Sequence, residues 1–140
     1  VTGVQTCALP IYCSDPSEFA SGLFNSEFYE DCKRILKKGG IFATQSESPE
    51  SFREIHIAII KSIRNIFSQD STMYSFVPFY PSGIWSWTFA VKNNEKILSA
   101  KYSKINLIEK NCEIWNLTFQ EGGLKMMPNK IIKELNKYAK

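Results

Sequence analysis

The chain has 140 residues, 44% hydrophobic and 22% charged, which is the composition of one soluble globular domain with a modest core and excludes a disordered or fibrous chain. Seventeen Lys and Arg against fourteen Asp and Glu, mixed along the chain, give a net charge of +3 and no footprint for nucleic acid or anionic lipid. No apolar run approaches the roughly eighteen residues of a membrane span, so neither nucleic acid nor membrane is an expected partner.

Positions 1–11, VTGVQTCALPI, resemble the in-frame translation of a sequencing-library adapter and are read as foreign, leaving 12–140 as the genuine domain. The adapter ends one base into codon 12. Tyr12 would then be a hybrid codon, whose last two bases fit a native Asp, Asn, His or Tyr. On this reading the open reading frame was cut off at its amino end.

Asn25 or Ser26 can cap a first helix, with Glu27, Glu30 and Asp31 early, Lys33, Arg34, Lys37 and Lys38 late, and Gly39 as its stop. Phe28, Cys32, Ile35 and Leu36 form the stripe expected to be buried. Gly40 to Ser46 (GIFATQS) is a short apolar run between turn signals and reads as a buried strand. A helix followed by such a strand suggests a parallel α/β sheet.

Ser48 and Pro49 open a second helix, in which Phe52, Ile55, Ile59, Ile63 and Ile66 recur at helical spacing through to Phe67. Thr72 to Val77 and Ile84 to Val91 are aromatic and β-branched and read as two strands around a shaped loop. From Asn93 the pattern is less regular until a helix from Asn129 to about Tyr138, started after Pro128. Lys125, Lys130, Lys133, Lys137 and Lys140 alternate with apolar positions and read as a solvated face. The order fits the second half of a doubly wound sheet whose first half, with any glycine-rich cofactor loop, is absent from this sequence.

Cys7, Cys13, Cys32 and Cys112 form no CxxC pair, and His56 is the only histidine, so no metal site and no Cys/His catalytic pair is expected. The thiols read as reduced, in a cytoplasmic protein. His56 lies inside the second helix and reads as a structural or surface residue.

Three segments fall where loops follow strands at the carboxyl edge of such a sheet, the place where open α/β folds bind ligands. They are Cys13-Ser14-Asp15-Pro16, Thr44-Gln45-Ser46-Glu47-Ser48-Pro49 and Pro78-Phe79-Tyr80-Pro81-Ser82-Gly83. A carboxylate, an amide and a phenol converging there suit an amine, the carboxylate neutralising an ammonium and the others hydrogen-bonding it. Taken singly, each segment is equally well ordinary turn chemistry.

Taken together, the set resembles the spermidine synthase (polyamine aminopropyltransferase) family. There a strand ends in D-S-S-D-P or D-S-T-D-P, a helix leads to a strand ending in TQSESP, and IPTYPSGLWxFTxxSK follows. Here SDP, ASGLFNSEFYEDCKRILKKGGIF, TQSESP and VPFYPSGIWSWTFAVK are similar to it, and NLTFQEGGLKMMPNKIIKEL is similar to the closing segment more loosely. The likeness runs over residues 13–140.

The resemblance implies the carboxy-terminal half of a Rossmann-like, methyltransferase-type α/β sheet. It also implies aminopropyl transfer from decarboxylated S-adenosylmethionine, a co-substrate rather than a tightly bound cofactor, to putrescine or a related polyamine. Tyr12 falls at the family's catalytic aspartate, which a hybrid codon would have erased. Asp15, Gln45 and Tyr80 match polyamine-binding positions, and Cys13 and Ser14 the small residues beside the substrate. Ser17-Glu18-Phe19 replaces the family's I-G-P near the nucleoside, so Phe19 is a candidate there. Phe79 replaces a threonine and bears on acceptor choice. The full-length enzyme is expected to be a homodimer or homotetramer, and the chain as written to be inactive. Another amine acceptor, or an inactive homologue serving as a binding subunit, are the rival readings.

Overall fold

Asn25 opens the first helix: its Oδ1 accepts from the Phe28 amide at 2.8 Å, and helix α1 spans Ser26–Ile35. The computed structural model describes residues 5–8, 21–80, 82–93 and 102–137, with the side chains of 5–8, 102 and 103 excepted. The helix stops at Ile35, short of the expected Gly39, and strand β2 runs Leu36–Gln45. The early stop has a tertiary cause. Lys92 Nζ donates to the carbonyls of Arg34 at 3.0 Å and Leu36 at 2.5 Å, so a remote cation takes over the helix's last acceptors. Gly39, with φ of 72°, then sits within the strand segment that pairs irregularly with β1.

Helix α2 spans Arg53–Ile66, starting four residues after Pro49, because Ser48 Oγ instead accepts from the amides of Glu50 and Ser51 and makes a turn. Strands β3 (Gln69–Phe76) and β4 (Ile84–Val91) form an antiparallel hairpin, β4 with the expected bounds. The segment expected to be less regular holds two helices, α3 (Tyr102–Asn111) and α4 (Leu117–Lys125), before α5 (Asn129–Asn136). Asn116 Oδ1 caps α4 by accepting from the Phe119 amide at 2.7 Å. No helix among the described residues is long and apolar enough to cross a membrane.

The sheet has the order β1-β2-β4-β3, with β1 at Gln5–Ala8. It is mixed rather than parallel: β1 and β2 run parallel, while β4 is antiparallel to both β2 and β3. The physical reason is the hairpin, whose connection is too short for a crossover. A short turn after β3 forces β4 to run back, and β4 rather than β3 takes the place beside β2. Gln5–Ala8, inside the string read as foreign, pairs in parallel with β2.

Packing against this sheet follows the helical stripes, with two corrections. Tyr29, Cys32, Leu36, Phe42, Ile59, Ile63, Phe67 and Ala90 form one buried cluster. Ile35, expected inside, is 47% exposed, and its place is taken by Tyr29, which with Cys32 and Leu36 falls on one helical face. Phe52, just before α2, is exposed, while Ile60 within it is buried against Ile131 and Leu135 of α5.

Helix α4 packs on β3 through Gly123, where a Cβ would lie 2.7 Å from the Tyr74 carbonyl and 2.8 Å from Met73 Cγ. At Gly122 a Cβ would meet nothing within 4 Å. Gly123→Ala is therefore expected to cost about 1–3 kcal/mol by overpacking. Gly122→Ala should gain roughly 0.5–1 kcal/mol from helix propensity. Urea denaturation of the two single variants checks the opposite signs, and equal shifts would place α4 away from β3.

Candidate functional site

β2 ends at Gln45, and the β3–β4 turn spans 77–83, so the register places both at one edge of the sheet: Gln45 opposes Trp87, and Phe76 opposes Ile84. β1 runs parallel to β2, so its Ala8 end points toward the same edge. Tyr12, Cys13, Ser14, Asp15 and Phe19 follow β1 in sequence and lie outside the described residues. Of the candidate residues, Gln45 and Tyr80 are therefore the two that the structure describes.

Two loops at this edge are tied together by side chains and backbone. Ser48 Oγ and Ser82 Oγ share a hydrogen bond of 2.7 Å, joining the end of TQSESP to the end of YPSG. The Ser46 amide donates to the Ser86 carbonyl at 2.9 Å, and Ser86 Oγ donates to the Glu47 carbonyl at 2.8 Å. These bonds hold an uncommon backbone. Glu47 (φ 64°) and Ser82 (φ 71°) both adopt the left-handed region, which side-chain-bearing residues occupy only when their surroundings impose it. Gly83 shares that conformation for a steric reason as well, since a Cβ there would lie 2.7 Å from Phe76 Cε2.

Alternation along β2 sets which side chains meet the helices. Phe42, Thr44 and Ser46 are buried on the helix-covered face, so Gln45 projects to the other face, beside Trp87 of β4, and is half-buried. Tyr80 is half exposed, and its ring meets Trp85 edge-on at 4.6 Å between centroids. Trp85 in turn lies 6.2 Å from Phe52, so an aromatic series braces the turn against the start of α2. Phe79, at the tip, is 92% exposed.

Behind the edge, polar groups fill positions that the strand pattern gives to apolar ones. Thr88 Oγ1 bonds Ser46 Oγ at 2.6 Å and Thr72 Oγ1 at 3.0 Å across three strands. His56 is fully buried, which settles it as a structural rather than a surface residue. Its Nδ1 meets the Ser46 carbonyl at 2.5 Å, and its Nε2 meets the Tyr74 hydroxyl at 3.0 Å. Sequence reasoning did not foresee these partners. The available signal was the pair Ser86 and Thr88 at inward positions of an otherwise aromatic strand. Burial lowers the His56 pKa against the opposing effect of the Ser46 carbonyl, and burial raises that of Tyr74.

Among the described residues, no group of three His, Cys, Asp or Glu is arranged to hold a metal. Cys32 and Cys112 are free thiols, Cys32 buried and its pKa raised by that burial and then by Asp31.

Comparison with known proteins places this edge in context. The model of the spermine/spermidine synthase domain matches residues 9–100. A polyamine aminopropyltransferase of Prochlorococcus marinus strain MIT 9301 is 63% identical over 126 residues, covering 90% of this chain and 44% of the relative. That of strain NATL2A is 48% identical over 124 residues, covering 89% and 43%. Among solved structures, a spermidine synthase in complex with the transition-state analogue AdoDATO is 29% identical, with a TM-score of 0.79 over 89% of this chain and 42% of its own. The spermidine synthase of Thermotoga maritima is 28% identical, with a TM-score of 0.76 over 88% and 42%. The chain thus spans less than half the length of the relatives it matches.

Proposed function

This chain belongs to the spermine/spermidine synthase domain family, and from that membership we propose that its full-length protein transfers an aminopropyl group from decarboxylated S-adenosylmethionine to putrescine. The products are spermidine and methylthioadenosine. The observation that carries the reading is the 2.7 Å bond between Ser48 and Ser82, because it draws together the two loops that hold Gln45 and Tyr80. An amide and a phenol at one edge can take opposite sides of a hydrogen bond with an amine.

The chemistry asks little of the protein beyond placement and proton removal. The sulfonium already makes its propyl carbon electrophilic, so the enzyme must aim a neutral amine in line with the carbon–sulfur bond. The amine nitrogen forms the new bond to carbon as the carbon–sulfur bond breaks and methylthioadenosine leaves. An alkyl amine is almost wholly protonated near neutral pH, so a carboxylate must first accept a proton, the role assigned to position 12. Asp15, Gln45 and Tyr80 hold the diamine, with Cys13 and Ser14 beside it and Phe19 near the nucleoside. The reaction calls for no metal and no tightly bound cofactor. The same reading expects a cytoplasmic homodimer or homotetramer.

Two measurements test this. Sequencing the source locus across codon 12 is expected to give GAT or GAC, and a natural TAT or TAC would instead favour a non-catalytic homologue. The second uses a chimera in which residues 12–140 replace the matching segment of the strain MIT 9301 relative, with the substitution Tyr12→Asp. Methylthioadenosine release should be fastest with putrescine, compared with cadaverine, agmatine and spermidine. A faster rate with any of these would overturn the acceptor assignment.

A further inference from the structure

Beneath the strand end that carries Gln45 runs a connected set of buried groups whose proton positions follow from their partners. The Ser46 carbonyl can only accept, so His56 Nδ1 carries the hydrogen that bonds it. Ser86 Oγ, 3.2 Å from the same Nδ1, spends its own hydrogen on the Glu47 carbonyl and accepts a share of the imidazole's. Nε2 then presents its lone pair to the Tyr74 hydroxyl at 3.0 Å. His56, Tyr74 and Ser86 come from α2, β3 and β4; His56 and Ser86 meet two successive carbonyls of the loop after β2, and Tyr74 meets the far side of the ring.

An apolar residue at position 56 would fill the space between helix and sheet without the cost of burying a ring nitrogen. What the imidazole adds is direction. It fixes the carbonyl of Ser46 and, with Ser86, that of Glu47, the residue held at φ of 64°. Those two peptides immediately follow Gln45 and immediately precede Ser48, which reaches across to Ser82. We infer that His56 is a positioning residue for the amine site, its Nδ1–H holding the Ser46 carbonyl and thereby the aim of Gln45 and the seating of the Ser48–Ser82 clasp. The inference rests on the aminopropyltransferase reading for its kinetic consequence but not for its structural one.

Two substitutions separate the two faces of the ring. His56→Asn keeps a donor near the place of Nδ1 and loses the contact to Tyr74, whereas His56→Gln keeps a polar group near Nε2 and loses the donor to Ser46. Both remove ring volume, Asn more than Gln, so a merely structural role would weaken His56→Asn at least as much as His56→Gln. In the Tyr12→Asp chimera, His56→Gln is expected to raise the KM for putrescine about tenfold, the weight of one buried hydrogen bond. His56→Asn should leave it within about threefold, and kcat should change less than KM in both. Amide hydrogen exchange over 44–52 should quicken in His56→Gln and stay protected in His56→Asn.

Equal changes in the two variants, or none in either, would overturn the inference. If both fail to fold, Ser86→Ala replaces them: faster exchange at 44–52 and a raised KM support the inference, and unchanged values overturn it. A chimera that folds but transfers no aminopropyl group would sink the functional reading alone, and the exchange comparison would still decide the role of His56.

Discussion

Tyr12→Asp in the chimera is expected to raise kcat for aminopropyl transfer about 10²- to 10⁴-fold over the chimera that keeps Tyr12, the range for a positioned general base. A free phenol has an ordinary pKa of about 10, so it is protonated at neutral pH and has no lone pair basic enough to relieve an ammonium, whereas a carboxylate near 4 is ionised. An aminopropyl acceptor that stays protonated cannot attack, however well the amine site proposed at Gln45 and Tyr80 holds it. The effect should therefore fall on kcat far more than on KM, and raising the pH should narrow the gap as the free amine becomes available from solution. Initial rates from pH 7 to 10 check both points. Equal activity with tyrosine and aspartate would remove position 12 from the chemistry.

Phe42→Ala is expected to cost about 3–5 kcal/mol, the usual range for emptying a buried aromatic site, out of a total stability that is itself of order 5–15 kcal/mol. Phe42 is fully buried, meets Tyr29 of α1 edge-on at 5.5 Å and stacks on Phe67 at 5.4 Å, so its removal opens the joint between both helices and β2. Phe79→Ala deletes the same ring from a site that is 92% exposed and should stay within about 0.5 kcal/mol. Urea midpoints at unchanged m-values check the contrast. A comparable loss at both positions would mean that the turn carrying Phe79 is packed against another part of the molecule.

Much of this molecule was legible from local chemistry. The cap at Asn25, one of the two adjacent candidates, the bounds of β4 and the start of α5 after Pro128 were readable because capping, period-two alternation and the rigidity of proline act within a few residues. The family likeness was readable too, since SDP, TQSESP and YPSG with their spacings are properties of the string itself. What escaped were features decided by partners far along the chain. Helix α1 ends at Ile35 because Lys92, more than fifty residues away, takes its carbonyls. Helix α4 carries Gly122 and Gly123, which argue against a helix, yet it forms where Asn116 caps it and Gly123 allows close approach to β3. The sheet is mixed because the hairpin turn reverses β4. His56 looked like one polar residue on a helix, and only the meeting of α2, β3 and β4 supplied the carbonyl and hydroxyls that make its burial tolerable and its orientation definite.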